Sequence, residues 1–231
     1  MKKKKIAALM AFLLTTLSAL ATINPTATYT DSSGTLVTDS TSFTANAPLH
    51  VLFEANASNL EAGSTLEWHF SHQGAGGSSD VTRYEENTEY DFTESGVTVV
   101  TLMVRLNDEV VEEASLSVTI SESVLEMPNA FSPNDDGYND YYNAKSTAQS
   151  IVEFHGYIFN RWGQKLYDWT DWTEEKSGWD GTYNGSPVKD GVYFCLVKAR
   201  GADGREYNIR RSVTLIRKYN TEGTTGGGDE Q

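Results

Sequence analysis

Apolar and polar residues alternate with a period of two along most of this chain, and helical stripes of period 3.6 are scarce. In "GVTVVTLMVRL", Thr98, Val100, Leu102, Val104 and Leu106 fall on one side of an extended chain. Val97, Val99, Thr101 and Met103 fall on the other. The segments "ATYT", "PLHVLFEANAS", "TLEWHFSH" and "SLSVTI" predict further strands in the first half, separated by Gly, Asn, Asp and Ser. Short strands at this density over about 100 residues predict an antiparallel β-sandwich. The second half repeats the style with "VEFHGYIFN", "QKLYDW", "GVYFCLVKA", "REYNI" and "RSVTLIRK". Between them "NRWG", "DGTYNGS", "KDG" and "GADGRE" predict turns whose glycines supply positive φ. Asp203-Gly204 predicts a tight hairpin that makes its flanking strands antiparallel neighbours. The expected class is all-β, with two tandem antiparallel β-sandwiches.

The two ends of the chain depart from this pattern. "MKKKKIAALMAFLLTTLSALA" places four lysines before an apolar run from Ile6 to Leu20, and Ala19-Leu20-Ala21 offers a small-x-small cleavage site. This is the layout of a secretory signal peptide cut after Ala21. The apolar run is shorter than the ~20 residues a membrane span needs, and no second run of spanning length follows. No cysteine follows the cleavage site to carry a lipid. At the other end "YNTEGTTGGGDEQ" is Gly-rich and polar and is expected to be a loose tail.

Charge adds a boundary. Beyond Ala21 the chain carries 14 basic against 32 acidic side chains, a net of −18. Residues 22–126 hold 2 basic and 17 acidic groups, whereas residues 127–231 hold 12 and 15. The break predicts a domain change and the plan 1–21 signal peptide, 22–122 first sandwich, 123–218 second sandwich, 219–231 acidic tail. A chain of this sign repels nucleic acid and anionic lipid, whose binding needs Lys and Arg.

The break falls at "MPNAFSPNDDGYND", a turn-forming stretch from Met127 to Asp140. Its oxygens could also hold calcium. With Gly137 as the loop glycine, Asn134, Asp136 and Asp140 take ligand positions three, five and nine, and the Tyr138 carbonyl takes seven. Ser132 stands at position one and Asn143 at twelve, where a bidentate Glu is expected. The plainer reading is an Asx-type turn in which Asn134 and Asp136 bond nearby backbone N–H groups.

Four blocks then follow in order: "PNAFSPNDDGYND", "IFNRWGQKLY", "GWDGTYNGSPVKDGVYF" and "VTLIR". Together they resemble the gliding motility-associated C-terminal domain, the type B sorting domain of the type IX secretion system of gram-negative bacteria. The resemblance runs from about Leu125 to Arg217, some two fifths of the chain. It implies an immunoglobulin-like sandwich, no catalysis, and recognition by the type IX secretion machinery after export to the periplasm. The motif positions that could hold the fold or face that partner are Pro128, Asn129, Phe131, Asn134, Asp136, Gly137, Asn139 and Asp140. Further along they are Asn160, Arg161, Trp162, Gly163, Trp179, Asp180, Gly181, Gly191 and Tyr193. Trp162 and Trp179 are expected to pack in core and turns. Alternatively Arg161 could stack on an aromatic ring or pair with an acid, on a surface the sorting machinery could read. The chain departs from the family at Asp135, where the family more often has Gly, and in the fourteen residues beyond Arg217. Family members also carry larger cargo ahead of the signal. The first half is similar to a PKD-type immunoglobulin-like domain on "EWHF" and "YDFTESGVTVVTLMV". Trp68 and Phe70 stand where that family has Trp-x-Phe, and Gly96, Val100, Leu102 and Val104 fit its closing strand. The Gly-Asp-Gly that usually follows is replaced by Ser71-His72-Gln73.

Other chemistry is thin. "LYDWTDWTEEKSGWDGTYNG" crowds Tyr167, Trp169, Trp172, Trp179 and Tyr183, and Trp169 and Trp172 lie where exposed rings could stack on a glycan. Alternatively they cap one end of the sandwich. Cys195 lies in a strand-like run and reads as a small buried hydrophobe. A nucleophilic role would need a histidine, and the nearest is His155. His50, His69, His72 and His155 show no metal spacing, and His69 and His72 should point to opposite faces of a strand. The sequence thus predicts a non-enzymatic secreted or cell-surface protein with a C-terminal sorting signal, a PKD-like binding module and no cofactor beyond calcium. The alternatives are an envelope-resident interaction component and a small glycan-binding surface protein.

Overall fold

A computed structural model describes residues 21–74 and 76–217. The signal peptide up to residue 20 and the tail from 219 lie outside the described residues. Strands dominate, at 57% against 2% helix, so the all-β expectation holds.

The first half forms nine strands in two sheets. They are β1 (Thr26–Thr30), β2 (Leu36–Asp39), β3 (Phe43–Ala45), β4 (Leu49–Glu54), β5 (Thr65–Gly74), β6 (Gly77–Arg83), β7 (Asn87–Phe92), β8 (Gly96–Leu106) and β9 (Glu109–Ile120). One sheet runs β2-β1-β4-β7 and the other β3-β9-β8-β5-β6. The alternation read in β8 sets its orientation: Thr98, Val100, Leu102 and Val104 are buried, and Val97 and Val99 face water. The sheets meet through aromatic rings. Phe53 of β4 lies 5.9 Å from Trp68 and 5.4 Å from Phe70, both of β5. Trp68 is fully buried and donates its indole N–H to the Glu85 carbonyl. Burying such a ring removes roughly 150–250 Å² from water, about 4–6 kcal/mol before entropy is subtracted. His69 and His72 do point to opposite faces, His72 inward and bonded to Thr98 and His69 outward beside Glu67.

The second half has β10 (Ala130–Phe131), β11 (Ile151–Phe159), β12 (Lys165–Trp169), β13 (Thr182–Tyr183), β14 (Ser186–Pro187), β15 (Gly191–Gly201) and β16 (Glu206–Leu215). Five of these form one sheet, β10-β16-β15-β11-β12. β15 and β16 are antiparallel neighbours across the Asp203-Gly204 turn, as the hairpin signal predicts. The layer facing this sheet is mostly irregular chain. It holds the β13–β14 hairpin, a single turn of 3₁₀ helix (Glu175–Ser177) and isolated bridges at Tyr142–Trp179 and Val124–Gln149. A second core lies between the layers, with Phe131, Tyr142, Ile158, Trp169, Trp179, Val197, Val213 and Leu215.

The two halves are joined by more than their linker. Ala202, at the β15–β16 turn, is buried in the core of the first half. Ser95 donates its N–H to the Ala202 carbonyl (3.0 Å), and Ala47 donates to the Ser150 hydroxyl (3.2 Å). Ser150 is itself fully buried. A Cβ at Gly201 would run into the Ser123 side chain, so only glycine lets the linker lie this close. Ser123 in turn donates to Asp203 at 2.6 Å.

Candidate functional site

The motif blocks occupy the second half, and the opening turn is built around one carboxylate. Asp140 Oδ1 accepts the N–H groups of Asn134 (2.9 Å) and Asp135 (2.8 Å), and Oδ2 accepts that of Gly137 (2.8 Å). Desolvation pushes this carboxyl up, and the surrounding N–H groups outweigh it, so its pKa lies below the ordinary 3.8. Asp136 accepts from the Tyr138 N–H (2.9 Å) and from the Asn134 amide (2.8 Å). Asp135, Gly137 and Asn139 all have positive φ, and Tyr138 is left 77% exposed. The oxygens proposed as calcium ligands are therefore spent on the turn's own donors, in the Asx-type arrangement. Asn143, at position twelve, is buried 26 residues from the indole it serves: its Oδ1 accepts the Trp169 N–H at 2.9 Å. This donor set does not fit a calcium ion. Among the described residues no group of three or more His, Cys, Asp or Glu side chains is placed to hold a metal.

Several other motif residues close the fold. Asn129 and Phe131 offer carbonyls to the N–H groups of Thr214 and Ile216, which pairs β10 with β16 in parallel. The Pro128 carbonyl accepts the Tyr142 hydroxyl at 2.9 Å. Trp179 is fully buried, donates to the Thr182 carbonyl at 2.7 Å and meets Tyr193 edge-on at 5.0 Å. Asp180 accepts from both the N–H and the hydroxyl of Thr182, which shapes the turn where Gly181 takes a φ of 77°. Gly191 has a φ of 149°, and Tyr193 donates to the Lys189 carbonyl. Arg217, beyond the last strand, ties these turns together. Its guanidinium donates to the carbonyls of Gly181 (2.6 Å) and Val188 and to Asp190 (3.2 Å), and its backbone N–H reaches the other Asp190 oxygen.

Two expectations need correction. Trp162 does not pack inward with Trp179: it is 76% exposed at the tip of the β11–β12 hairpin. The reason is local. Asn160 Oδ1 accepts the N–H groups of Trp162 and Gln164, both at 3.0 Å, and Gly163 takes a φ of 80°. The tip lies level with the start of β15, and the ring stands in solvent with the Arg161 guanidinium 4.3 Å from its centroid. Trp169 and Trp172 are not a glycan platform. Trp169 is 5% exposed and sits over Gly156 of the neighbouring strand, where a Cβ would fall 2.5 Å from the ring. Trp172 is half-buried against the same core and donates to the Ile151 carbonyl at 3.3 Å. Trp169 ends β12 of the sheet and Trp172 lies in the irregular layer that faces it, so both rings meet the core between the two.

Cys195 is 3% exposed, and burial pushes its thiol up to about 11. It pairs with Ile158 on the inward face, whereas His155 lies on the outward face stacked on Tyr157. The two cannot form a nucleophile pair. The roles of Asn143, Arg217 and Ser150 carry no sequence signal beyond the general rule that a buried indole or N–H needs a partner.

Comparisons with known proteins bear on the second half. Residues 125–215 match the model of the CHU_C type IX secretion signal domain. The resemblance read from the four motif blocks is thereby shown for that stretch. No curated protein matches the chain. Among solved structures, it aligns with a tetra-tandem repeat in the extending region of a large adhesion protein at 12% identity and TM-score 0.29, over 85% of this chain and 68% of that one. It aligns with dimeric latent PorU from Porphyromonas gingivalis at 12% identity and TM-score 0.27, over 92% of this chain and only 22% of that one. A third alignment, to chicken CNTN1 FN1–FN3 domains, has 8% identity and TM-score 0.26, over 77% and 65% of the two chains. Superpositions this loose say nothing of function.

Proposed function

We propose that this chain is a non-enzymatic exported protein whose second domain is its type IX sorting signal. The match of residues 125–215 to the type IX secretion signal domain carries the reading. The layout at the amino terminus supports entry through a signal peptide, and the second domain then directs passage to the cell surface. The clasp made by Arg217 fits a signal read as a folded domain, because it holds the end of the last strand to two turns remote in sequence. The first domain serves as a PKD-like binding or structural module carried by the signal.

The test is surface accessibility of the full chain in cells with and without a working type IX translocon. The reading expects surface exposure only with the translocon. A chain confined to the periplasm in both strains would sink it and leave an envelope-resident component.

A further inference from the structure

The geometry points to head-to-tail self-association, in which the Arg161–Trp162 hairpin of one copy enters a groove in the first domain of a second copy. The groove, about 710 Å³, opens where β5 begins and β8 ends. The exposed side chains of Tyr84 and Leu60 form its walls. Its floor is neutralised: Arg105 donates to the carboxylate of Glu67 and to the Asp108 carbonyl. Its rim is not. The carboxylates of Glu86 and Asp108 stand exposed and take part in no ion pair among the described residues. An aromatic and aliphatic concavity with a free acidic rim suits a protruding ring that carries a cation.

The chain presents one such group. Trp162 is 76% exposed and Arg161 lies across its ring with no carboxylate partner among the described residues. Asn160 and the Gln164–Tyr183 bond (3.0 Å) fix the turn, so little conformational freedom is lost on docking. Trp and Arg are also the residue types that most often dominate interface energies. β8 starts beside Ser95 at the joint and reaches the groove roughly 33 Å away, and β11 starts beside Ser150 and reaches the hairpin roughly 30 Å away. Each feature thus stands at the far end of its own domain, and the ring is left in solvent. The contact therefore joins two copies, and being heterologous it can propagate. The large net negative charge does not forbid it: beyond about 8 Å at physiological ionic strength like charges are screened, whereas the contacting groups are not.

Sedimentation velocity of the full secreted chain over a concentration series tests this. The expected result is mass rising above monomer with concentration and falling back with added salt. Trp162→Ala should weaken association by roughly 30-fold or more. Arg161→Glu alone, and Glu86→Lys with Asp108→Lys, should each abolish it, and all three changes in one chain should restore it. These positions are exposed, and unchanged circular dichroism confirms folding. A monomer at every concentration overturns the proposal. So does association that ignores the substitutions, or charge reversals that fail to rescue each other.

Discussion

Replacing Ala202 with Asp tests whether the two domains stand or fall together. Ala202 is 6% exposed, and its methyl group lies in the core of the first domain although its turn belongs to the second. Two hydrogen bonds cross the same joint, Ser95 N–H to the Ala202 carbonyl and Ala47 N–H to the Ser150 hydroxyl. Each is worth about 1 kcal/mol net. The methyl group adds about 0.8 kcal/mol. The joint thus couples the domains by about 3 kcal/mol. A carboxylate at this position cannot be buried unpaired and would force the domains apart. For domains of this size 1 kcal/mol moves Tm by about 4–8 °C, so the less stable domain should melt at least about 10 °C lower in the variant. Both cores contain fully buried tryptophan, Trp68 in the first and Trp179 in the second, so thermal unfolding followed by fluorescence and by calorimetry sees both. The wild-type chain should melt with its transitions overlapped, and the variant should split them. A variant whose transitions coincide with wild type to within a degree would refute the coupling.

Four further outcomes follow from the second domain. Gly156→Ala drives a Cβ to 2.5 Å from the Trp169 ring and should cost about 1–3 kcal/mol in urea unfolding, with the first domain unaffected. Arg217→Ala strips partners from the carbonyls of Gly181 and Val188, and limited proteolysis should then cut the 181–190 segment first; an unchanged digestion pattern would contradict the clasp. The opening turn should loosen in acid. Asp140 has a depressed folded pKa, so its contribution is complete above the ordinary value of 3.8 and is lost as pH falls through the lower folded value, a change that amide exchange at Asn134, Asp135 and Gly137 would report. Calorimetric titration of the same protein with millimolar calcium should give no heat, because those donors already occupy the carboxylate.

Alternation made the inner strands legible. β8 was readable because one face is solvent and the other core, and every second side chain records the difference. β6 left no such record. Its residues, "GSSDVTR", are exposed or nearly so along an edge, and only pairing with β5 makes it a strand. β9 likewise begins at Glu109, ahead of the segment "SLSVTI", because its first residues extend past the core and need no alternation. The tryptophans show a different limit. Trp162 and Trp179 belong to adjacent motifs of one domain, yet one is in water and the other buried. The difference is whether another segment covers the position, which no local pattern encodes. Trp169 did leave a trace, the glycine inside "VEFHGYIFN". A glycine within a strand marks a close approach, and here the approaching group is the indole across the ladder.

The motif residues themselves divide by what they touch. Asn129, Phe131, Trp179, Asp180, Gly181 and Tyr193 are spent on the fold. Trp179, Asp180 and Tyr193 shape local turns, whereas Asn129, Phe131 and Gly181 bond to Thr214, Ile216 and Arg217 at and just past the last strand, so the set comes together only in the folded domain. Arg161, Trp162 and the tip of the opening turn do little for stability and stand in solvent. The Trp162 ring is as wet in the folded chain as in the unfolded one, so its burial would become a gain only on binding a partner. Substitutions at Trp162 should spare unfolding while changing association, and substitutions at Trp179 should do the reverse.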